Sequence, residues 1–368
     1  MWARRPSWHA AFDLGVKFTF AQGHRASVIH SPQHRANNFD ALRLLAAVLV
    51  IWSHQFALMG RPTPLIFGNE PGALGVVLFF AISGYLVTQS WVADPHVRRF
   101  AARRALRIWP GLTALVLLSV FVLGPLLTEL SVPQYFSHKA TWQHLLNLVL
   151  QTQIGLPGIF ASNPHPGSLN GPLWTIPIEV GCYAALALVG WLGLMRWRWF
   201  PLCVFLALAG LLQWRYSAWP HPEWSFALQY AMIFAVGSAL SRWESIWLEH
   251  PWVTAGLLLA ACSLLYKFGP SPFNGQSPLI ALAGLGVVWG ACCTPVINRA
   301  GRFGDFSYGL YIYGFAVQQI IIWGAANQLS FGVAFVLSII GALFCAALSW
   351  HFVEKPALRW KPQRVLEK

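Results

Sequence analysis

The chain has 368 residues, of which 56% are hydrophobic and only 10% are charged, and its formal net charge is +13. A soluble domain carries about 25% charged residues. The composition therefore excludes a soluble globular enzyme, a disordered chain and a disulfide-rich secreted domain. It predicts an all-α polytopic membrane protein. Because Lys and Arg collect in the cytoplasmic loops of such proteins, we interpret the charge as topological and expect no nucleic-acid partner.

About ten segments are apolar and long enough to be transmembrane helices. In chain order they are 41–59, 73–92, 110–129, 173–194, 200–214, 226–240, 252–268, 278–296, 308–326 and 331–353. The fifth and sixth are short, which leaves re-entrant or tilted helices open. The apolar segment 138–160 is interrupted by His144, Asn147, Gln151 and Gln153, and it predicts an interfacial helix within a long loop.

The distribution of Lys and Arg orients these segments. With the N-terminus in the cytoplasm, the inner segments hold 20 Lys or Arg residues and the outer segments hold four. This asymmetry predicts that both termini are cytoplasmic. The predicted organisation is a cytoplasmic tail over 1–36, a membrane domain over 37–360 and a second tail over 361–368. The longest outer loop is then 130–172, where an extracytoplasmic partner would meet the protein.

Two basic side chains share one face of the first predicted span. Arg43 and His54 are eleven residues apart, which is about three helical turns and about 16 Å along the axis. Arg43 is expected near the cytoplasmic surface and His54 deeper, toward the outer half. This arrangement suits a donor that enters from the cytoplasm. Alternatively, Arg43 extends to the lipid headgroups and His54 is merely hydrogen-bonded within the bundle.

Further charged residues are candidates for chemistry. Arg104 and Arg107 share a helix face, and arginine binds phosphate groups through two parallel hydrogen bonds. The alternative is that their charge is only topological. Glu179 lies close to Pro177, which can kink the fourth span. Its carboxylate could orient a histidine, balance its charge, or pair with a buried arginine.

Other intramembrane polar groups carry weaker signals. Ser83, Gly84 and Tyr85 are typical of helix packing through small residues. Gln318 and Gln319 either line a cavity or satisfy neighbouring groups. The phosphate-loop, hydrolase-elbow and zinc-protease motifs do not occur in the sequence, and we expect no metal site.

Seven segments together resemble the acyltransferase 3 family of integral membrane O-acyltransferases, which modify bacterial surface glycans and related acceptors. The segments are NNFDALRLLAAVLVIWSH, LGVVLFFAISGYL, RRALRIWP, LPGIF, NGPLWTIPIEVGCY, FGDFSYGLYIYGF and HFVEKPALR. Each alone is a weak signal, but their shared order over residues 37 to 360 is specific. The resemblance implies a stand-alone acyltransferase domain of about ten spans.

The resemblance also implies roles for residues. The family's R-x10-H pair falls on Arg43 and His54, with the histidine catalytic. Its R-x-x-R pattern falls on Arg104 and Arg107, which would handle the acyl-CoA donor. Its L-W-[ST]-x-x-x-E element ends at Glu179.

Two positions depart from the family pattern. Val180 stands where many members have a second carboxylate, and Gly314 stands where many have a histidine. Neither supplementary group is therefore essential in this chain. His54 is expected to be the sole histidine base.

The expected reaction is transfer of an acyl group, most simply acetyl, from cytoplasmic acyl-CoA to a hydroxyl of a glycan or lipid-linked saccharide. The setting would be the bacterial inner membrane, with no permanently bound cofactor. His54 would act as general base or through an acyl intermediate. Glu179 or Asp40 would orient it, and the sequence does not separate the two. Trp142 or Trp174 could stack on a sugar ring.

In addition to Trp174, Asn170 and Tyr85 are two further candidates for acceptor binding. A runner-up function is a multi-span transporter or exporter of a glycan intermediate or small metabolite. A third is an enzyme that acts on a lipid or a small secreted metabolite.

Overall fold

The computed structural model describes residues 37–218, 223–269, 271 and 273–362. These residues are mostly helical, and no β-strand occurs among them beyond three isolated bridges. The predicted tail 1–36 and most of the predicted tail 361–368 lie outside the described residues. The protein is an all-α polytopic membrane protein, as the composition predicts.

Ten long helices, numbered α1 to α10, are present in the described parts of the chain. They are α1 Phe39–Leu58, α2 Pro71–Ala93, α3 Val97–Leu118, α4 Thr175–Trp191, α5 Phe200–Ala218, α6 Glu223–Arg242, α7 Pro251–Phe268, α8 Phe273–Ala291, α9 Ser307–Gly324 and α10 Phe331–Ser349. Each of the ten predicted segments overlaps one of them.

Six helical stretches among the described residues are both long and apolar enough to cross a membrane. They are Phe39–Leu58, Pro71–Ala93, Val97–Leu127, Gly171–Trp191, Pro251–Phe268 and Phe331–Leu358. The count of ten spans remains a prediction.

Shorter elements connect the long helices. The α-helical ones are Gly124–Leu127, Val132–Ser137, Lys139–Gln143, Glu244–Trp247 and Lys355–Leu358. The 3₁₀ turns are His144–Val149, Gly171–Trp174, Leu194–Arg196 and Ile297–Arg299, and the π-helical turns are Ser119–Leu123 and Trp350–Glu354.

The structure differs from the sequence prediction in three places. The fifth and sixth segments are continuous helices of 19 and 20 residues, each about 30 Å long, and so are longer than the apolar segments 200–214 and 226–240. The third helix begins at Val97, well before the predicted start at Pro110, because the arginine-rich turns continue the same helix through the proline. The predicted helix 138–160 is wrong beyond Val149, since Leu150 adopts a left-handed conformation and the Asn147 side chain bonds the turn that follows.

Helix α2 lies at the centre of the bundle, and most of it is buried. It runs parallel to α6, to which Thr88 is joined by a 2.7 Å hydrogen bond with Ser238. The two backbones are in close contact at Gly84 and Gly237, where a Cβ would lie 2.0 Å from a carbonyl oxygen of the other helix. The predicted close packing is therefore present at Gly84, because only glycine permits this approach, whereas Ser83 bonds Glu179 and Tyr183 instead.

The long loop between α3 and α4 is fixed to α9. Gln319 donates hydrogen bonds to the carbonyls of His165 (2.7 Å) and Ser168 (2.8 Å), and Asn163 donates to Gln319 Oε1 at 2.8 Å. Gln318 instead donates to the Ile51 carbonyl of α1 at 2.8 Å. Both glutamines thus satisfy neighbouring polar groups, and the loop is held beside the end of α1.

Candidate active site

Two cavities follow one another along α2. We call the end of the bundle where α1 begins and α2 ends the Arg43 end, and the opposite end the His54 end. The cavity at the His54 end has a volume of about 510 Å³, within the usual range for ligand sites. The cavity nearer the Arg43 end is smaller, at about 110 Å³. We refer to them as the outer cavity and the inner cavity.

His54 lines the outer cavity. Its ring lies edge-on to Phe315, with the centroids 5.2 Å apart, and His165 of the long loop contacts the same phenyl ring. The Nδ1 atom of His54 is buried and has no hydrogen-bond partner within the described chain. Neither Glu179 nor Asp40 forms a hydrogen bond with His54. Glu179 instead bonds Ser83 and Tyr183, and Asp40 contacts Arg43. The structure therefore does not form a carboxylate–histidine pair from the residues that the sequence suggested.

Two residues near His54 had no signal in the sequence. Glu70 precedes the first turn of α2 and also lines the outer cavity, where Ser53 donates a 3.5 Å hydrogen bond to it. His165 lies on an irregular loop, far from His54 in sequence. Neither belongs to a recognisable motif, because loop closure alone brings them to the site.

The inner cavity holds the predicted Glu179 and Arg104. Glu179 accepts a 3.0 Å hydrogen bond from Ser83 and a second bond from Tyr183. The guanidinium of Arg104 lies over the Tyr183 ring, 5.9 Å from its centroid. Its Nε atom is buried without a hydrogen-bond partner, and no described residue forms an ion pair with it. Arg104 therefore brings an unpaired positive charge to a partly polar cavity.

The other two predicted arginines are paired with carboxylates. Arg107 contacts Asp305 at 2.5 Å and Glu354 at 3.6 Å, and Arg43 contacts the same Asp305 at 3.6 Å. Asp40 is 3.5 Å from Arg43. Burial acts to raise the pKa of Asp305, but the neighbouring guanidinium groups and hydrogen bonds from the following serine lower it to about 2. This ion cluster joins α1, α3, the start of α9 and the turn that follows α10.

The two cavities meet at a thin wall. Three residues line both of them: Val76, Thr175 and Tyr311. The hydroxyl groups of Thr175 and Tyr311 are hydrogen-bonded at 2.5 Å, and Tyr311 also donates to the Pro172 carbonyl at 3.0 Å. Val76 and the hydrogen-bonded pair of Thr175 and Tyr311 therefore lie between the arginine-bearing cavity and the histidine-bearing one.

The remaining predicted residues occupy different places. Trp174 is 38% exposed, lines the outer cavity and contacts the Tyr230 ring in a tilted arrangement, with the centroids 5.9 Å apart. Asn170 is fully buried and donates to the Ile312 carbonyl at 2.6 Å. Tyr85 is only 2% exposed and packs in the helix core away from both cavities. Trp142 lies on the long loop among aromatic neighbours. Of the residues predicted to bind the acceptor, Trp174 is thus the one on a cavity wall.

No group of three or more His, Cys, Asp or Glu side chains is arranged for a metal ion in the described residues. The polar groups that line the two cavities include a histidine, three arginines, carboxylates and hydroxyls. They can bind an anion and move a proton.

Comparison with known proteins identifies the family. A model described as an acyltransferase domain matches residues 37–351. An O-acetyl transferase of Shigella phage Sf6 is 34% identical over 88% of this chain and 96% of its own length. Nodulation protein 10 of Rhizobium leguminosarum bv. viciae is 29% identical over 91% of this chain and 96% of its own length.

A third relative is the exopolysaccharide production protein ExoZ of Rhizobium meliloti, 27% identical over 78% of this chain and 90% of its own length. No solved structure matches the chain significantly. The family model covers most of the chain, including both cavities and the wall between them. The chain therefore belongs to the acyltransferase 3 family of integral membrane proteins.

Proposed function

We propose that the protein is an O-acyltransferase that moves an acetyl group from cytoplasmic acyl-CoA to a hydroxyl of a cell-surface glycan, in the bacterial inner membrane. The observation that carries this proposal is the pair of cavities that meet at Thr175 and Tyr311, one lined by Arg104 and the other by His54. Relatives named as an O-acetyl transferase and an exopolysaccharide production protein support the reaction and the acceptor class.

The donor would enter at the Arg43 end, which the positive-inside rule assigns to the cytoplasm. Arg104 is suited to attract an anionic donor because no described carboxylate lies within ion-pair distance of it, although Glu179 lines the same cavity. Arg43 and Arg107 are held by Asp305, so they would shape the entrance as a fixed cluster. The inner cavity has room for the thioester end of the donor and for little more.

His54 would act as the general base. Its imidazole takes the proton from the acceptor hydroxyl as that oxygen attacks the thioester carbonyl carbon. The carbon–sulfur bond breaks, CoA leaves as the thiolate, and the acetyl group remains on the acceptor oxygen. Phe315 fixes one side of the ring. Because no described carboxylate bonds to the imidazole, the base would work without the third member of a Ser-His-Asp arrangement.

The acceptor would occupy the outer cavity. Its volume suits one or two sugar units, and Trp174 and Tyr230 supply aromatic faces at its wall. The donor carbon and the acceptor oxygen can meet only if the hydrogen bond between Thr175 and Tyr311 opens. Rotation of these two side chains is therefore part of the proposed cycle.

The test is transfer of radiolabelled acetate from acetyl-CoA to glycan in membranes from a strain that makes the cognate glycan. We expect His54→Ala to lower transfer by about 100-fold or more, the usual scale for loss of a general base. The matched control is His250→Ala, since His250 is exposed and lines neither cavity. Both variants are compared with the wild type at equal protein levels.

The outcomes separate the candidate functions. Undiminished transfer by His54→Ala would remove His54 as the base. Movement of an unmodified glycan or metabolite that persists in His54→Ala, with no acetylated product from the wild type, would favour the transporter. Label that enters a lipid or a small metabolite instead of the glycan would assign another acceptor class to the same enzyme.

A further inference from the structure

A third cavity lies at the Arg43 end of the bundle, beyond the inner cavity. Its volume is about 550 Å³, which is typical of a site for a whole ligand. It is enclosed by the last turns of α2, α4 and α6 and by the first turn of α3. Its lining residues include Trp91, His96, Arg98, Trp191, Arg196 and Arg242. We call it the basal cavity.

The basal cavity is strongly positive. Arg98, Arg196 and Arg242 come from three separate segments of the sequence, yet they line one space. None of the three forms an ion pair with a described residue, and the Nε atom of Arg242 is buried without a hydrogen-bond partner. No Asp or Glu belongs to the described lining. Neighbouring Arg99, by contrast, is neutralised by Asp94 at 2.5 Å. Three uncompensated guanidinium groups predict a ligand with several phosphates.

The inner cavity does not offer such a place. Its volume of about 110 Å³ is small for a nucleotide. Two of its three arginines, Arg43 and Arg107, already contact Asp305. A donor whose reactive end lies in the inner cavity therefore needs another site for its phosphates.

The basal and inner cavities lie along the same helix faces. On α2, Ser83 lines the inner cavity and Trp91 the basal cavity; they are eight residues apart, which is about 12 Å along one face. On α4, Tyr183 lines the inner cavity and Gly190 lines the basal cavity. These two residues are seven positions apart, which is about 10 Å along the helix. Trp91 packs against Gly190 between these two helices, so a flexible arm that joins the two spaces has to displace the Trp91 side chain.

The walls of the basal cavity also provide aromatic surface. Trp191 is 69% exposed, so its ring is free to stack on a base. Trp91 lies against α4 at Gly190, where a Cβ would lie 2.1 Å from the indole. Trp91 is only 2% exposed, so the site combines guanidinium groups for phosphates with one free indole ring, that of Trp191, for a purine.

We propose that the basal cavity binds the nucleotide end of acyl-CoA. Arg98, Arg196 and Arg242 hold its phosphates, Trp191 stacks on its adenine, and the pantetheine arm runs between α2 and α4 to the inner cavity. The identity of the donor rests on the proposed function.

The experiment measures binding of CoA and of dephospho-CoA to the purified protein in nanodiscs by titration calorimetry. We expect the triple variant Arg98→Gln, Arg196→Gln, Arg242→Gln to weaken CoA binding by about tenfold or more, since charge-assisted bonds to phosphate are lost. The ratio of CoA affinity to dephospho-CoA affinity should also be smaller in the triple variant than in the wild type. The matched control is a second triple variant that removes the same number of charges from the Arg43 end: Arg299→Gln, Arg302→Gln, Arg359→Gln. None of these three residues lines the basal, inner or outer cavity. Thermal unfolding establishes that both variants are folded.

Each other result overturns the proposal in a distinct way. If CoA binds the triple variant as tightly as the wild type, the nucleotide site is elsewhere and the proposed function stands. If the wild type does not bind CoA, the donor assignment and the site fail together. If the triple variant keeps CoA affinity but loses phosphatidylglycerol in native mass spectrometry, the basal cavity is a lipid headgroup site.

Discussion

At the scale of single residues, Asp305 changes the interpretation of the arginines. The sequence motifs group Arg43, Arg104 and Arg107 as donor-binding residues. In the structure Asp305 contacts Arg43 and Arg107, while Arg104 remains without an ion pair to any described residue. Two of the three are thus engaged in joining helices, and one is available to a ligand.

The stability of this cluster should depend on pH in a defined way. The pKa of Asp305 is about 2 in the folded protein, below the value of about 3.9 for an unfolded aspartate. Its stabilising effect is therefore complete above about pH 4 and is lost as the pH falls toward 2. We expect Asp305→Asn to lower the free energy of unfolding at neutral pH by roughly 2 kcal/mol.

The measurement is thermal unfolding of the purified protein between pH 2 and pH 7. The difference between wild type and Asp305→Asn should narrow at the acidic end. Glu249→Gln is the control, because Glu249 is exposed and forms no described ion pair. A difference that stays constant across the range would contradict the predicted role of the carboxylate.

The candidate site was partly predictable at this scale. His54, Arg104 and Glu179 follow from charged groups within apolar runs, and all three line a cavity. Asp305 and His165 did not follow, because each meets its partner only when segments distant in the sequence pack together. The expected carboxylate–histidine contact is absent from the described residues for the same reason: helix order alone does not give the helix neighbours.

At the scale of helices, close contact between α2 and α6 sets the frame for the cavities. Gly237→Ala places a methyl group against the Ala81 carbonyl, where the Cβ would lie 2.0 Å from the oxygen. We expect this variant to lose roughly 1–3 kcal/mol of stability through overpacking. Gly256→Ala on α7 is the matched control, since a Cβ there meets nothing within 4 Å.

Thermal unfolding in detergent measures both glycine variants. Gly256→Ala should match or exceed the wild type, because alanine favours a helix over glycine. Equal unfolding temperatures for Gly237→Ala and the wild type would show that α2 and α6 separate easily. The contact between α2 and α6 would then not be what fixes the cavity walls.

Hydropathy predicted the existence of the long helices well and their ends less well. All ten predicted segments overlap a helix, since apolar length is a strong signal. Hydropathy places the start of the third span at Pro110, whereas α3 begins at Val97, because its arginine-rich turns are polar while remaining helical. The end of the loop helix at Val149 was missed because side-chain bonds from Asn147, not hydropathy, terminate it.

At the scale of the whole molecule, the orientation in the membrane is open to a direct test. In a protein whose six native cysteines are replaced, we expect Ser137→Cys in the long loop to react with an impermeant maleimide added on the extracytoplasmic side of the membrane. Arg299→Cys at the Arg43 end should react only after the membrane is permeabilised. Both positions are exposed, so a difference in labelling reports sidedness. The reverse pattern would invert the topology and place the donor on the wrong face.

The wall between the cavities has an electrical consequence. Polar spaces that approach each other from opposite ends of a bundle shorten the insulating distance across a membrane, and here Val76, Thr175 and Tyr311 line both spaces. An acetyl group is small and uncharged, whereas protons and CoA carry charge that the low-dielectric surroundings resist. Under the proposed function only the thioester carbonyl has to reach the acceptor oxygen across this wall, so the charged nucleotide can stay on its own side while the wall limits the passage of ions.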